Sequence, residues 1–267
     1  MCEHRPLVWI YTDTLEHTMT SIFNQAIDSN EQYLKTTGML DYNHASVQLL
    51  IIQKGWRQLS RYDAIGAIYN YVRDDILFGY NADDRLKASE VLKDGYGQCN
   101  TKGTLLMALL RAVNIPARFH GFTIFNELQR GAIPNYLFAI APQRIIHSWV
   151  EVNLDGRWIN LEGYIIDNQY LEKVQASFSD QCDEFSGYGI STKCLRNPPV
   201  NWMGEDTYIQ KEGIADDYGV YAQPDDFYNQ QGTNLSGVKK ILFRYLVRHL
   251  MNLNVKRIRR RGVRSER

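Results

Sequence analysis

The chain has 267 residues, enough for one large domain or two small ones. Apolar residues make up 44% and charged residues 22%, which excludes an intrinsically disordered chain, and no apolar run is long enough for a membrane-spanning helix. The formal charge of zero hides an asymmetry: from Lys239 onward there are 11 bases and one acid, while the remainder holds 19 bases and 29 acids.

The N-terminus, Met1-Cys2-Glu3-His4-Arg5-Pro6, lacks the basic and then apolar pattern of a secretory signal, so a cytoplasmic setting is expected. Among the four cysteines, Cys2, Cys99, Cys182 and Cys194, there is no CxxC pair and no Cys/His set with zinc spacing. No metal and no cofactor is therefore expected. Free thiols suit a reducing compartment; a Cys182–Cys194 disulfide closing a loop is the competing reading.

Leu7 to Tyr11 reads as a short strand or extended arm. Thr14 to Lys35 carries a helical period through Leu15, Met19, Ile22, Phe23 and Ala26, and Gly38 follows it. Two more helices are predicted, Ala45 to Leu59 and Ala64 to Leu77, the latter with Asp63 as N-cap. Ser89 to Leu92 forms a helical turn before the glycines at 95 and 97.

A helix then runs from Cys99 to Val113, stopped by Asn114-Ile115-Pro116. The period changes to two at Ala117–Phe125, a strand, and Tyr136 to Ile140 reads as a second strand. Asp155-Gly156 is a two-residue hairpin turn. With that turn, Val152 faces Ile159 and Val150 faces Leu161 on an apolar face. The other face carries His147, Trp149, Glu151, Asn153, Trp158, Asn160 and Glu162. Glu162 then lies diagonal to His147, within reach of a long side chain.

Residues 176–237 are rich in Gly, Asp, Asn, Gln, Ser and Pro, and read as a loop-rich acidic cover. Val238 to Val255 forms an amphipathic basic helix, with Ile241, Leu242, Tyr245, Leu246, Leu250 and Leu253 near one face. A frayed basic tail follows. The implied organisation is an N-terminal helical segment (1–60), a catalytic core (61–175), the acidic cover (176–237) and the C-terminal helix and tail (238–267), packed as one domain.

A thiol attacks well only as the thiolate, which a helix N-terminus and an adjacent imidazolium both favour. Cys99 sits at a helix start. His147 is the candidate partner, base and then acid, and Glu162 the group that would hold its tautomer. The Cys99 N–H is the first oxyanion donor, and Gln98 and Tyr80 are candidates for the second. Asn160 and Trp149, on the face of His147, are further substrate or orienting candidates, and Asp167 is a rival third member. A lone cysteine before an apolar helix is more often a small buried hydrophobe. His120 also competes with His147, but the sequence gives it no evident carboxylate partner. The pairs Asp216-Asp217 and Asp225-Asp226 match no calcium loop and read as a solvated acidic face.

Gly-Tyr-Gly-Gln-Cys-Asn (95–100), Leu-Leu-Arg-Ala-Val-Asn-Ile-Pro-Ala-Arg (109–118), His-Ser-Trp-Val-Glu-Val (147–152) and Trp-Ile-Asn-Leu-Glu-Gly (158–163) together resemble the transglutaminase-like (transglutaminase-core) superfamily. The resemblance spans Tyr62 to Asp167 and implies a papain-like α+β fold, with N-terminal helices and a cysteine helix packed on an antiparallel β-sheet. It puts the family's nucleophile on Cys99 and its histidine on His147. The third residue, usually Asp, falls on Glu162, and Tyr80 falls near the family's upstream oxyanion helper. The expected activity is a cysteine-dependent amide hydrolase of protease, amidase or deamidase type, acting through a thioester on a peptide or small amide. Alternatives are acyl transfer from glutamine to an amine, or a non-catalytic interaction module. No nucleic-acid partner is expected. The basic residues 256–267 either touch an anionic surface weakly or meet the acidic stretch 205–228.

Overall fold

The computed structural model describes residues 30–138, 141–179 and 183–263. The strand expected at 7–11, most of the helix expected from Thr14, and Cys182 lie outside the described residues, while Cys194 is a free thiol.

The helical periods ahead of the glycines fold as α1 (Ala45–Lys54), α2 (Arg61–Asp74) and α3 (Ala88–Asp94). The N-cap of α2 is Ser60, not Asp63: its Oγ accepts the Asp63 N–H at 3.2 Å and donates to the Asp63 carboxylate at 2.6 Å. Two short parallel strands, β1 (Leu77–Phe78) and β2 (Tyr96–Gly97), pair between α2 and the helix that follows. That helix is α4 (Cys99–Ala112), with a nearly unbroken buried surface from Asn100 to Arg111.

Strands β3 (Ala117–Phe125), β4 (Arg144–Leu154), β5 (Arg157–Leu161) and β8 (Ile214–Tyr221) form one antiparallel sheet in the order β5-β4-β3-β8. The hairpin register is as expected, with Val150 opposite Leu161 and Val152 opposite Ile159. Its turn has Asp155 at φ 51° and Gly156 at φ 88°, the two positive values of a type I′ turn. The α4 helix packs on β3 and β4 across Leu105, Leu109, Phe119, Val150 and Val152, all buried. The fold is therefore α+β, with the cysteine helix against an antiparallel sheet.

Three expectations need correction. Of the strand expected from Tyr136 to Ile140, the described part, Tyr136 to Phe138, is helical instead: it belongs to α5 (Asn135–Phe138), because the Pro134 carbonyl accepts the N–H groups of Leu137 and Phe138 and closes a helical turn. The acidic cover is only partly loop. The small sheet β6 (Phe185–Gly187) and β7 (Ile190–Thr192) lies in it, and it supplies β8 and α7 (Pro224–Gln231). β8 leaves no clean alternation in the sequence because it is an edge strand with two register shifts and half-exposed residues. Gly121 of β3 lets α7 dock: a Cβ there would meet the Phe227 ring at 2.2 Å.

The third correction is the C-terminal segment. It is helical to Arg261, through α8 (Gly237–Leu242), a π-helical stretch (Phe243–Val247) and α9 (Arg248–Arg261). It follows α6 (Asn168–Ser177) in packing and is pinned by Arg259, which donates to Asp167 at 2.7 Å and to the Phe78 carbonyl at 2.7 Å. Lys240 and Arg244 pair with Asp83. Among the described residues, the ion pairs of this helix thus run to Asp83 and Asp167, not to the acidic stretch 205–228. That stretch pairs elsewhere, Glu205 with Arg157 and Asp216 with Arg144.

Candidate active site

Gly97 fixes the approach to α4. A Cβ there would lie 2.6 Å from Thr101 Oγ1 and 3.0 Å from Lys102 Cγ, so only glycine lets β2 run this close to the helix start. The Gln98 N–H donates to Thr101 Oγ1 at 3.1 Å, and Thr101 donates to Asn81 at 2.6 Å. Cys99 is the first helical residue, half-buried, and no protein acceptor takes its N–H among the described residues.

Asn100 joins this helix start to β4. Its Nδ2 donates to the Ile146 carbonyl at 3.2 Å, and its Oδ1 accepts from Ser148 Oγ at 3.0 Å. The two contacts flank His147 in sequence, so one side chain sets the spacing between the cysteine and the histidine. The motif quoted above contains Asn100, but nothing in the sequence alone indicated this bridge.

His147 and Glu162 are both fully buried. His147 Nε2 lies 3.2 Å from Glu162 Oε1. Glu162 Oε2 accepts the N–H groups of Ile209 and Gln210, each at 2.9 Å. Both carboxylate oxygens are thereby fixed, and Glu162 acts only as an acceptor. The other ring nitrogen, Nδ1, has no hydrogen-bond partner of ordinary geometry among the described residues, and the Cys99 thiol interacts with the same ring. Burial alone would push the His147 pKa down; the Cys99 sulfur and then Glu162 outweigh it and raise it from 6.5 to about 9.

The face expected to be polar is an aromatic layer instead. The Phe122 ring lies edge-on 4.8 Å from the His147 ring and tilted 4.7 Å from Trp149, and His120 lies 4.9 Å from Trp149. His120 does have carboxylate partners, contrary to expectation: Glu151 at 2.7 Å and Asp217 at 2.8 Å take both ring nitrogens. Asp217 could not be foreseen because it arrives on β8. With both nitrogens occupied, His120 has none free to serve a nucleophile.

The remaining candidates divide. Gln98 and Tyr80 line the same cavity as Cys99. Tyr80 donates its hydroxyl proton to Gln129 at 2.5 Å, whereas Gln98 Nε2 holds only a 3.3 Å contact with Asp84. Gln98 is thus the freer donor. Asn160 and Trp149 are not brought into that cavity. The Asn160 amide donates to Asp206 at 3.1 Å and Tyr208 at 2.8 Å, and Trp149 is absorbed in the aromatic layer. Asp167 is not a third member either; it caps α6 and binds Arg259.

Two polar groups at the site, half-buried Asp84 and buried Gln210, have no signal in the sequence. Asp84 lines the cavity and accepts from Gln98, Asn100 and Asn234; burial raises its pKa despite these donors. Gln210, 2% exposed, lines it too. Its Nε2 donates to the Gly189 carbonyl, and its Oε1 has no partner. No local pattern marks either residue, since both act through neighbours distant in the chain. Among the described residues no group of acids, histidines and cysteines is arranged to hold a metal ion, and no helix is long and apolar enough to cross a membrane.

Residues 52–163 match the model of the Transglutaminase-like superfamily. No curated protein matches the chain at a significant level. Among solved structures, the chain is similar to "a Putative Cysteine Protease from Cytophaga hutchinsonii", at 14% identity and a TM-score of 0.44. That match covers 74% of this chain and 48% of the other, so the chain spans about half the length of that protein.

Proposed function

Taking as premise that residues 52–163 are a transglutaminase-like core, we propose that the protein is a cysteine-dependent amide hydrolase with Cys99, His147 and Glu162 as its catalytic residues. The observation that carries this is the His147 ring. It is held at Nε2 by the Glu162 carboxylate, with Nδ1 left unbonded, and the charge of the nearby Cys99 sulfur favours its protonated form. In that arrangement imidazolium and thiolate support each other.

Cys99 Sγ bonds to the amide carbonyl carbon. The oxyanion that forms meets the free Cys99 N–H and Gln98 Nε2. The carbon–nitrogen bond breaks as His147 gives its proton to the leaving nitrogen, and a thioester remains on Cys99. Water gives a proton to His147 and adds to the thioester carbon; the carbon–sulfur bond breaks, a carboxylic acid leaves, and the ion pair is restored. Gln210 Oε1 is suited to accept the N–H of the substrate amide, because it is a buried acceptor without a partner.

Mass spectrometry of a glutamine-containing peptide, with and without an added alkylamine, tests this reading. The expected product in both mixtures is the carboxylic acid, formed by the wild type and not by Cys99→Ala. An amine adduct as the main product would make the enzyme a transferase, and equal product from Cys99→Ala would remove Cys99 from the reaction.

A further inference from the structure

The cavity that Cys99 lines has a volume of about 550 Å³ and mostly apolar walls. Ile124, Ile133, Leu137, Ile146, Phe243 and Val247 contribute to it from four separate parts of the fold. It falls in the range of small-molecule sites.

Two further observations single it out. The C-terminal helix turns π-helical at Phe243–Val247, and both end residues of that stretch line the cavity. Such segments are frequent at functional sites. Leu242 lines the cavity and is also 51% exposed, next to exposed Val238, Ile241, Tyr245 and Leu246. Apolar surface therefore continues from solvent to the nucleophile's cavity.

From this we infer that the cavity binds the acyl part of the substrate, and that this part is an unbranched aliphatic chain. The inference rests on the reading of Cys99 as nucleophile. At about 30 Å³ for a water-sized group, the cavity of about 550 Å³ has room for up to roughly 18 methylenes, more than a ten-carbon chain needs. A peptide in the same place would need several partners for its N–H and C=O groups. The walls offer little polar surface for them: apolar area dominates the lining, and its polar groups, Asn81, Asp84, Gln98 and Asn100 among them, bond to one another, leaving Gln210 Oε1 as a buried lining atom without a partner among the described residues. An N-acyl amine needs few partners: its carbonyl oxygen goes to the oxyanion donors and its single N–H to Gln210. Cys99 takes the fatty acyl group as the carbon–nitrogen bond breaks and the His147 proton passes to the amine. Water then releases the fatty acid and returns a proton to His147.

The test uses the full chain and p-nitrophenyl esters from acetyl to dodecanoyl, following nitrophenol release and mapping the acyl group to Cys99 by peptide mass. The acylation rate is expected to rise roughly three- to fourfold per added methylene up to about ten carbons, as burial of each methylene implies. A rate independent of chain length, with Cys99 acylated throughout, overturns the acyl site and leaves the nucleophile in place. No acylation of Cys99 by any ester overturns both. An N-acetylphenylalanyl ester reacting faster than the decanoyl ester makes the cavity a peptide side-chain pocket and overturns the inference. Val247→Trp is expected to lower the decanoyl-to-acetyl rate ratio at least tenfold, and an unchanged ratio in folded Val247→Trp contradicts the site.

Discussion

Glu162→Gln replaces one carboxylate oxygen by an amide nitrogen at the deepest point of the site. Oε2 now accepts two N–H groups, from Ile209 and Gln210, at 2.9 Å each. Turning the new NH2 toward them would leave two buried donors unpaired, at about 1–3 kcal/mol each. The amide oxygen therefore keeps that place, and the NH2 points at His147 Nε2, 3.2 Å away in the wild type. A donor there selects the tautomer with its proton on Nδ1, the nitrogen left free for Cys99. The histidine can no longer accept the thiol proton, and its imidazolium loses its counter-charge.

A wrong tautomer of this kind lowers turnover by roughly 10²–10⁴, or about 3–5 kcal/mol of transition-state stabilisation. The pH profile gives a second reading. Burial lowers the His147 pKa and Cys99 raises it; Glu162 adds to the rise, and the sum is about 9. Wild-type activity should fall as pH rises through about 9, when His147 loses the proton it gives the leaving amine. In Glu162→Gln this limb should move to lower pH. Steady-state rates on an amide substrate between pH 6 and 10, with thermal melts to verify folding, measure both effects. A variant keeping more than a third of wild-type kcat/KM with an unmoved limb would refute the tautomer argument.

Cys99→Ala should abolish labelling by a thiol-directed electrophile while leaving circular dichroism unchanged, since Cys99 is half-buried at a helix end; labelling that persists and disappears on removal of Cys182 or Cys194 contradicts the assignment. Arg259→Ala should cost about 3–5 kcal/mol in urea unfolding, because it strands the buried Asp167 carboxylate; a loss below 1 kcal/mol would mean the C-terminal helix is not anchored there. Lys102 is fully buried and donates to the carbonyls of Arg73 and Ile165; burial lowers its pKa from 10.5 to about 7. The unfolded chain then binds the extra proton between pH 7 and 10.5. The stability of wild type relative to Lys102→Met should accordingly rise with pH across that window, by up to about 1.4 kcal/mol per pH unit. A flat difference in denaturation midpoints would show that the amine is not held neutral.

The legible parts of this molecule were those with local causes. The β4–β5 register follows from one turn dipeptide and the alternation of four apolar residues, and it placed Glu162 within reach of His147. The cysteine helix was bounded to within a residue by a glycine turn and by Asn114-Ile115-Pro116. What stayed hidden depends on contacts between distant segments. β8 alternates poorly because it is an exposed edge, so the carboxylate partner of His120 on that strand was invisible. The Asn100 bridge, the Ile209 and Gln210 donors and the roof over the cavity all come from chain far from the residues they serve. The tail looked frayed because seven of the twelve residues 256–267 are basic, yet Arg259 forms an ion pair with buried Asp167 that helps hold it in place.

Activation of Cys99 by His147 is the step on which the proposed reaction depends. The most direct measurement is the rate of iodoacetamide alkylation at each cysteine of the native protein at neutral pH, resolved by peptide mass mapping in wild type and His147→Ala. Cys99 should react at least tenfold faster than Cys194 in the wild type and lose that advantage in the variant. Equal rates at the two cysteines, or a Cys99 rate that His147→Ala leaves unchanged, would contradict the claim.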